Sequence, residues 1–71
     1  MSTEITAPMP GSISRIWKRV GDNVEAGEEL FLMESMKMEI PIVAATSGSV
    51  GDIRVNEKQA VNVGDILAVL I

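Results

Sequence analysis

Lysines 18, 37 and 58 are the only lysines of this 71-residue chain, and Lys37 stands apart from the other two. It lies between Met36 and Met38, with Glu34 and Ser35 before them and Glu39 after. A lysine amine on a long, flexible stem is a target for covalent modification when it is accessible. Lys18 and Lys58 lie in polar loop surroundings that predict ordinary solvated charges. A solvated charge is also the usual fate of any turn lysine, and methionine is more often core filler than recognition surface. The arrangement is what singles out Lys37. Two soft apolar side chains flank a charge where solvation favours polar neighbours, and an exposed Met-Lys-Met makes an adaptable docking surface.

Other chemistry is poorly supported. There is no Cys, His or Tyr. That excludes a disulfide staple, a thiolate nucleophile, a Cys/His zinc site and an imidazole base. The serines have no activating partner, and the ten carboxylates show no convincing pairing. With a net charge of −4, the chain has no electrostatic footprint for nucleic acid or an anionic membrane. Its longest apolar runs, Leu30 to Met33 and Ile66 to Ile71, fall far short of the roughly 20 residues of a membrane-spanning helix. Met1 to Glu4 carry neither a basic nor an apolar signal region. These features predict a soluble cytoplasmic domain. A chain this short buries only about 60% of its unfolded surface, too little to enclose a large two-substrate site. It is expected to work as part of something larger.

The elements that position Lys37 emerge when the chain is slid along itself. At an offset of 37, residues 7–34 align with 44–71 without a gap. Seven of the 28 pairs are identical, against roughly two by chance: Ala7/Ala44, Gly11/Gly48, Ser12/Ser49, Ile16/Ile53, Val24/Val61, Gly27/Gly64 and Leu30/Leu67. The chain therefore reads as a single domain, residues 1–71, of two half-repeats joined by a hairpin region at 35–43. That joining segment has no counterpart in the alignment, and it holds Lys37.

Each half follows the same order. Gly11 and Gly48 open strands that reach Ile16 and Ile53. Ile13 with Arg15, and Val50 with Asp52, leave the inward register open by one residue. Gly21-Asp22 and Glu57-Lys58 supply turns. Val24 and Val61 mark short strands. Gly27 and Gly64 are expected in hairpin turns that need positive φ. An apolar run bounded by turns then closes each half as a buried strand. Residues 28–39 conflict with this order, being rich in good helix formers. Their partner in the repeat, 65–71, is Ile-, Val- and Leu-rich after a glycine turn, which favours strand. Pro41 also argues against a long central helix, and in a strand it belongs at an edge or bulge. Turns this frequent predict many short strands in a sandwich or small barrel.

On these residues the chain resembles a known family. Glu34-Ser35-Met36-Lys37-Met38 is similar to the attachment motif of biotin carboxyl carrier proteins and biotinyl domains, where Ala or Ser precedes Met-Lys-Met. Ala7-Pro8-Met9-Pro10-Gly11 resembles the opening of their first half, and Ala45-Thr46-Ser47-Gly48-Ser49-Val50 the Gly-x-Val opening of their second. Val63-Gly64-Asp65-Ile66-Leu67 resembles their closing turn and last strand. The resemblance runs from about Ile5 to Ile71. It implies an all-β fold, a flattened barrel of two four-stranded antiparallel sheets with quasi-twofold symmetry. It places the modified lysine in the hairpin between the fourth and fifth strands.

The resemblance also implies a role. Lys37 would carry covalent biotin, attached by a biotin protein ligase that reads Met36, Met38, Glu34, Ser35 and Glu39. The chain would be a carrier, not itself an enzyme, serving a biotin carboxylase and a carboxyltransferase. Lipoyl carriers of 2-oxo acid dehydrogenase complexes share the fold, but their lysine usually follows Asp and precedes a small or β-branched residue. Met36 and Met38 favour biotin. An unmodified interaction module on the same barrel is a further alternative. The short run from Ile16 to Val24 has no room for the inserted thumb of some acetyl-CoA carboxylase carriers, which points to the thumbless type. No Ala/Pro-rich linker precedes the domain. It is expected to be either free-standing, which Met-Ser at the start mildly favours, or a domain of a larger chain.

Overall fold

A computed structural model describes residues 2–71. Eight strands carry the fold: β1 (Thr3–Thr6), β2 (Gly11–Ile16), β3 (Asn23–Val24), β4 (Glu29–Ser35), β5 (Met38–Val43), β6 (Gly48–Ile53), β7 (Ala60–Val61) and β8 (Ile66–Leu70). They form two four-stranded sheets, ordered β1-β8-β6-β3 and β5-β4-β2-β7, and every pairing is antiparallel. Ile13, Leu30, Phe31, Met33, Leu67 and Leu70 fill the space between the sheets and are fully buried. The helix formers at 28–39 lie instead in β4, a turn and β5. Pairing with two neighbouring strands and burial of Leu30, Phe31 and Met33 outweigh local propensity there.

The offset of 37 governs the whole molecule. β2 maps onto β6, β3 onto β7 and β4 onto β8. The repeat also extends beyond the aligned stretch. Thr3–Thr6 of β1 falls on residues 40–43 of β5, and both segments bury one central isoleucine, Ile5 or Ile42. Sequence comparison passes over this pair because Ile5/Ile42 is the single identity in four residues. Residues 40–43 of the segment 35–43 are thus a repeated strand, and the joint between the halves narrows to 35–39 around the β4–β5 turn. The open register in β2 and β6 has a matching cause. A bulge lies between Ile13 and Arg15, and another between Val50 and Asp52. Each breaks strict alternation while turning Ile13 and Val50 inward.

Gly27 and Gly64 do adopt positive φ, +87° and +86°. Their turns are not hairpins, however. β3 and β4 belong to different sheets, as do β7 and β8. The glycines turn the chain from one sheet to the other. The Gly27 N–H donates to the Ala44 carbonyl at 2.7 Å, and the Gly64 N–H donates to the Ala7 carbonyl at 2.9 Å. Each half's turn is therefore fastened to the other half. Side-chain caps repeat as well. The Glu25 N–H donates to Glu28 Oε1 at 3.0 Å, and the Asn62 N–H to Asp65 Oδ2 at 2.8 Å. The Glu28/Asp65 replacement keeps a carboxylate acceptor at the same place in both halves. Pro41 lies on β5, an edge strand, where its missing N–H removes no bond from an inner ladder.

Candidate functional site

The β4–β5 hairpin is closed by two residues, Met36 and Lys37, with φ of +53° and +64°. Positive φ at both central positions is the mark of a type I′ hairpin turn, which favours Asn-Gly. Side chains other than Gly, Asn and Asp are strained there, by about 1–2 kcal/mol per residue. Methionine and lysine hold the turn against local preference, a departure that points to function. Met36 is 90% exposed and Met38 59% exposed. Lys37 between them is exposed as well. The amine therefore stands at the outermost point of a tight turn, between two solvent-facing thioethers.

The turn is tied to the strands and loop beneath it. Ser35 and Met38 are cross-strand partners, and Glu34 and Glu39 are the next pair down. Ser35 is only 7% exposed, and its hydroxyl donates to the Pro10 carbonyl at 2.7 Å. Of the five flanking residues expected at the recognition surface, Ser35 alone points inward. It ties the hairpin to the loop between β1 and β2. Pro10 was not among the expected site residues, since nothing in its type marks a carbonyl acceptor 25 residues from Ser35. Gly11 completes the support. A Cβ there would collide with the Glu34 carbonyl oxygen, so β2 and β4 approach closely just below the turn.

Glu34 and Glu39 are exposed and face each other across the strand pair. They line a shallow, open cavity of about 430 Å³ with Ser12, Arg15, Leu32 and Lys58. Lys58 is exposed and holds φ of +72° at the position equivalent to Gly21. Lys18 departs from expectation. It forms an ion pair with Glu28 rather than standing as a lone solvated charge. The hydrogen bond from Lys18 and the Glu25 N–H lower the Glu28 carboxyl below its usual range, and Glu28 raises the Lys18 ammonium. Lys37 is in neither ion pair found among the described residues, Lys18–Glu28 and Arg54–Asp52. No group of three or more potential metal-ligating side chains gathers among the described residues.

Comparison with known proteins matches this geometry to a family. A family model described as "Biotin-requiring enzyme" covers residues 3–70. The biotin/lipoyl attachment protein of Bacillus subtilis is 43% identical over 63 residues, spanning 89% of this chain and 86% of that protein. The chain belongs to the biotin/lipoyl attachment family. A second relative, the biotin carboxyl carrier protein of Streptococcus mutans, is 48% identical over 61 residues, 86% of this chain but 47% of that one. Among solved structures, the Kluyveromyces lactis urea carboxylase superposes with a TM-score of 0.93 at 31% identity. The match covers 100% of this chain and 6% of that one. The likeness is thus to one small segment of a large carboxylase, a carrier-type domain.

Biotin is the cofactor of this family, and the residues at the turn fit it. Attachment needs an exposed primary amine on a long stem, held clear of its own fold. Lys37 provides that, on a hairpin fastened by Ser35 and Pro10. Bound there, biotin would supply the carboxyl-carrying chemistry, and the chain's own residues would present it.

Proposed function

We propose that Lys37 is the biotin attachment site and that the protein is a biotin carboxyl carrier working in the cytoplasm. In this account a biotin protein ligase loads Lys37, and the loaded domain moves between a biotin carboxylase and a carboxyltransferase. The observation that carries it is the strained Met36-Lys37 turn, which holds the lysine at the outermost point of the hairpin. The unprotonated Nζ is the nucleophile toward a carboxyl group that the ligase has activated. The amide C–N bond forms as the bond between the acyl carbon and the activating group breaks; that group leaves with its electron pair, the nitrogen gives up a proton, and the formal charge falls from −4 by one unit. Met36, Met38, Glu34 and Glu39 surround the amine as the surface the ligase reads, and Ser35 fixes their orientation from below.

The fold suits carriage. A stiff barrel with one lysine at its tip keeps the arm outward, and tethering raises the effective concentration of the arm at each partner site. A lipoyl role is not favoured, because Met36 and Met38 replace the neighbours typical of lipoyl lysines. The test is ligase-catalysed incorporation of labelled biotin into the purified protein and into Lys37→Arg. Incorporation in the first and none in the second is expected, with unchanged circular dichroism. Label retained by the arginine variant would place attachment elsewhere.

A further inference from the structure

The two methionines beside Lys37 differ in exposure from the other described methionines. Among the described residues, methionine occurs at 9, 33, 36 and 38. Met33 is fully buried and Met9 is half-buried against the core. Met36 and Met38 project into solvent. Among the described residues, the methionine side chains most open to a dissolved oxidant are therefore the two that flank the amine. Strain sharpens the point. Met36 occupies positive φ, where local preference would place Asn or Gly, so its side chain is retained despite an unfavourable backbone.

We infer that Met36 and Met38 form a peroxide-sensitive modification site that governs loading of Lys37, an inference resting on Lys37 as the attachment residue. The Sδ lone pair attacks one peroxide oxygen. The S–O bond forms as the O–O bond breaks, and the second oxygen takes up a proton and leaves as water. Sulfur is oxidised by two electrons and the peroxide is reduced by two. The product sulfoxide is polar and chiral where the thioether was apolar and adaptable. A partner surface that packs on thioethers meets two strong hydrogen-bond acceptors instead. Nothing in the core changes, because Met33 is shielded. The block is therefore local and reversible by methionine sulfoxide reductases.

The experiment treats unloaded protein with dilute hydrogen peroxide, quenches it, maps the oxidised peptides and then measures biotin loading by the ligase. Oxygen is expected on Met36 and Met38 before Met9 and Met33. Loading should slow by about tenfold, as for the loss of one good apolar contact, and recover after reductase treatment. Met36→Leu/Met38→Leu, whatever its own loading rate, should keep that rate after peroxide. Unchanged loading of protein oxidised at both positions would overturn the inference. So would earlier oxidation of Met33, or a peroxide effect that persists in the double variant. Untreated protein that the ligase does not load would instead remove Lys37 as the attachment residue, and this inference with it.

Discussion

At the residue scale, the turn exchanges stability for presentation. Met36 and Lys37 both hold positive φ, and neither is a residue that relieves it. Met36→Asn/Lys37→Gly, the preferred type I′ pair, should therefore stabilise the fold by about 1–3 kcal/mol in urea unfolding, the relief of two strained positions less the entropy cost of glycine, while abolishing biotin loading. A destabilised variant would remove the strain from the account. Ser35 acts in the opposite sense. Ser35→Ala leaves the Pro10 carbonyl without its partner and should cost about 1 kcal/mol, with slower loading as the hairpin loosens. The Lys18–Glu28 pair sets a pH dependence. The lowered Glu28 carboxyl contributes stability above the usual glutamate range, which is lost as pH falls through its folded value. The raised Lys18 ammonium contributes below the usual lysine range, and that is lost as pH rises through its folded value. Glu28→Gln should flatten both ends of a thermal-stability profile, most visibly at low salt.

At the element scale, the positive-φ glycines carry the crossings between sheets. Nothing lies within 4 Å of a Cβ built at Gly27 or Gly64, so a side chain there meets strain rather than a clash. Gly27→Val should cost more than about 1 kcal/mol by thermal unfolding, and Gly64→Val a similar amount. Much of this was legible in the sequence. The offset of 37 located six of the eight strands, because glycine turns and buried apolar positions recur at matching places. Two things were not legible. The bulges after Ile13 and Val50 leave no mark beyond a loose alternation, since a bulge is a backbone event that many residues tolerate. The crossings at Gly27 and Gly64 look like hairpins because positive φ identifies a tight turn but not which strands it joins. Of the candidate site, the placement of Lys37 and its methionines at an exposed turn was legible from residue type and position. The inward Ser35 and its Pro10 anchor depend on a contact between residues 25 apart in the chain.

At the scale of the whole molecule, duplication does not produce two independent units. Each sheet takes strands from both halves, and the Gly27 and Gly64 turns bond across to the opposite half. A peptide of residues 1–37 lacks the β8 and β6 partners of β1 and β3, and the β5 and β7 partners of β4 and β2. Alone it should be unfolded by circular dichroism, whereas the whole chain should unfold in one cooperative step. Interlocking of this kind holds the β4–β5 hairpin on a frame with no hinge between halves. At its tip the side chains of Met36, Lys37 and Met38 stand exposed, free of the core.

The central claim is that Lys37 alone carries biotin. The direct measurement is the intact mass of the protein purified from cells with biotin and active ligase, followed by mapping of the modified peptide. One biotinyl group confined to Lys37 is the predicted result. A lipoyl group there, modification at Lys18 or Lys58, or an unmodified chain beside a control substrate that is loaded, would contradict it.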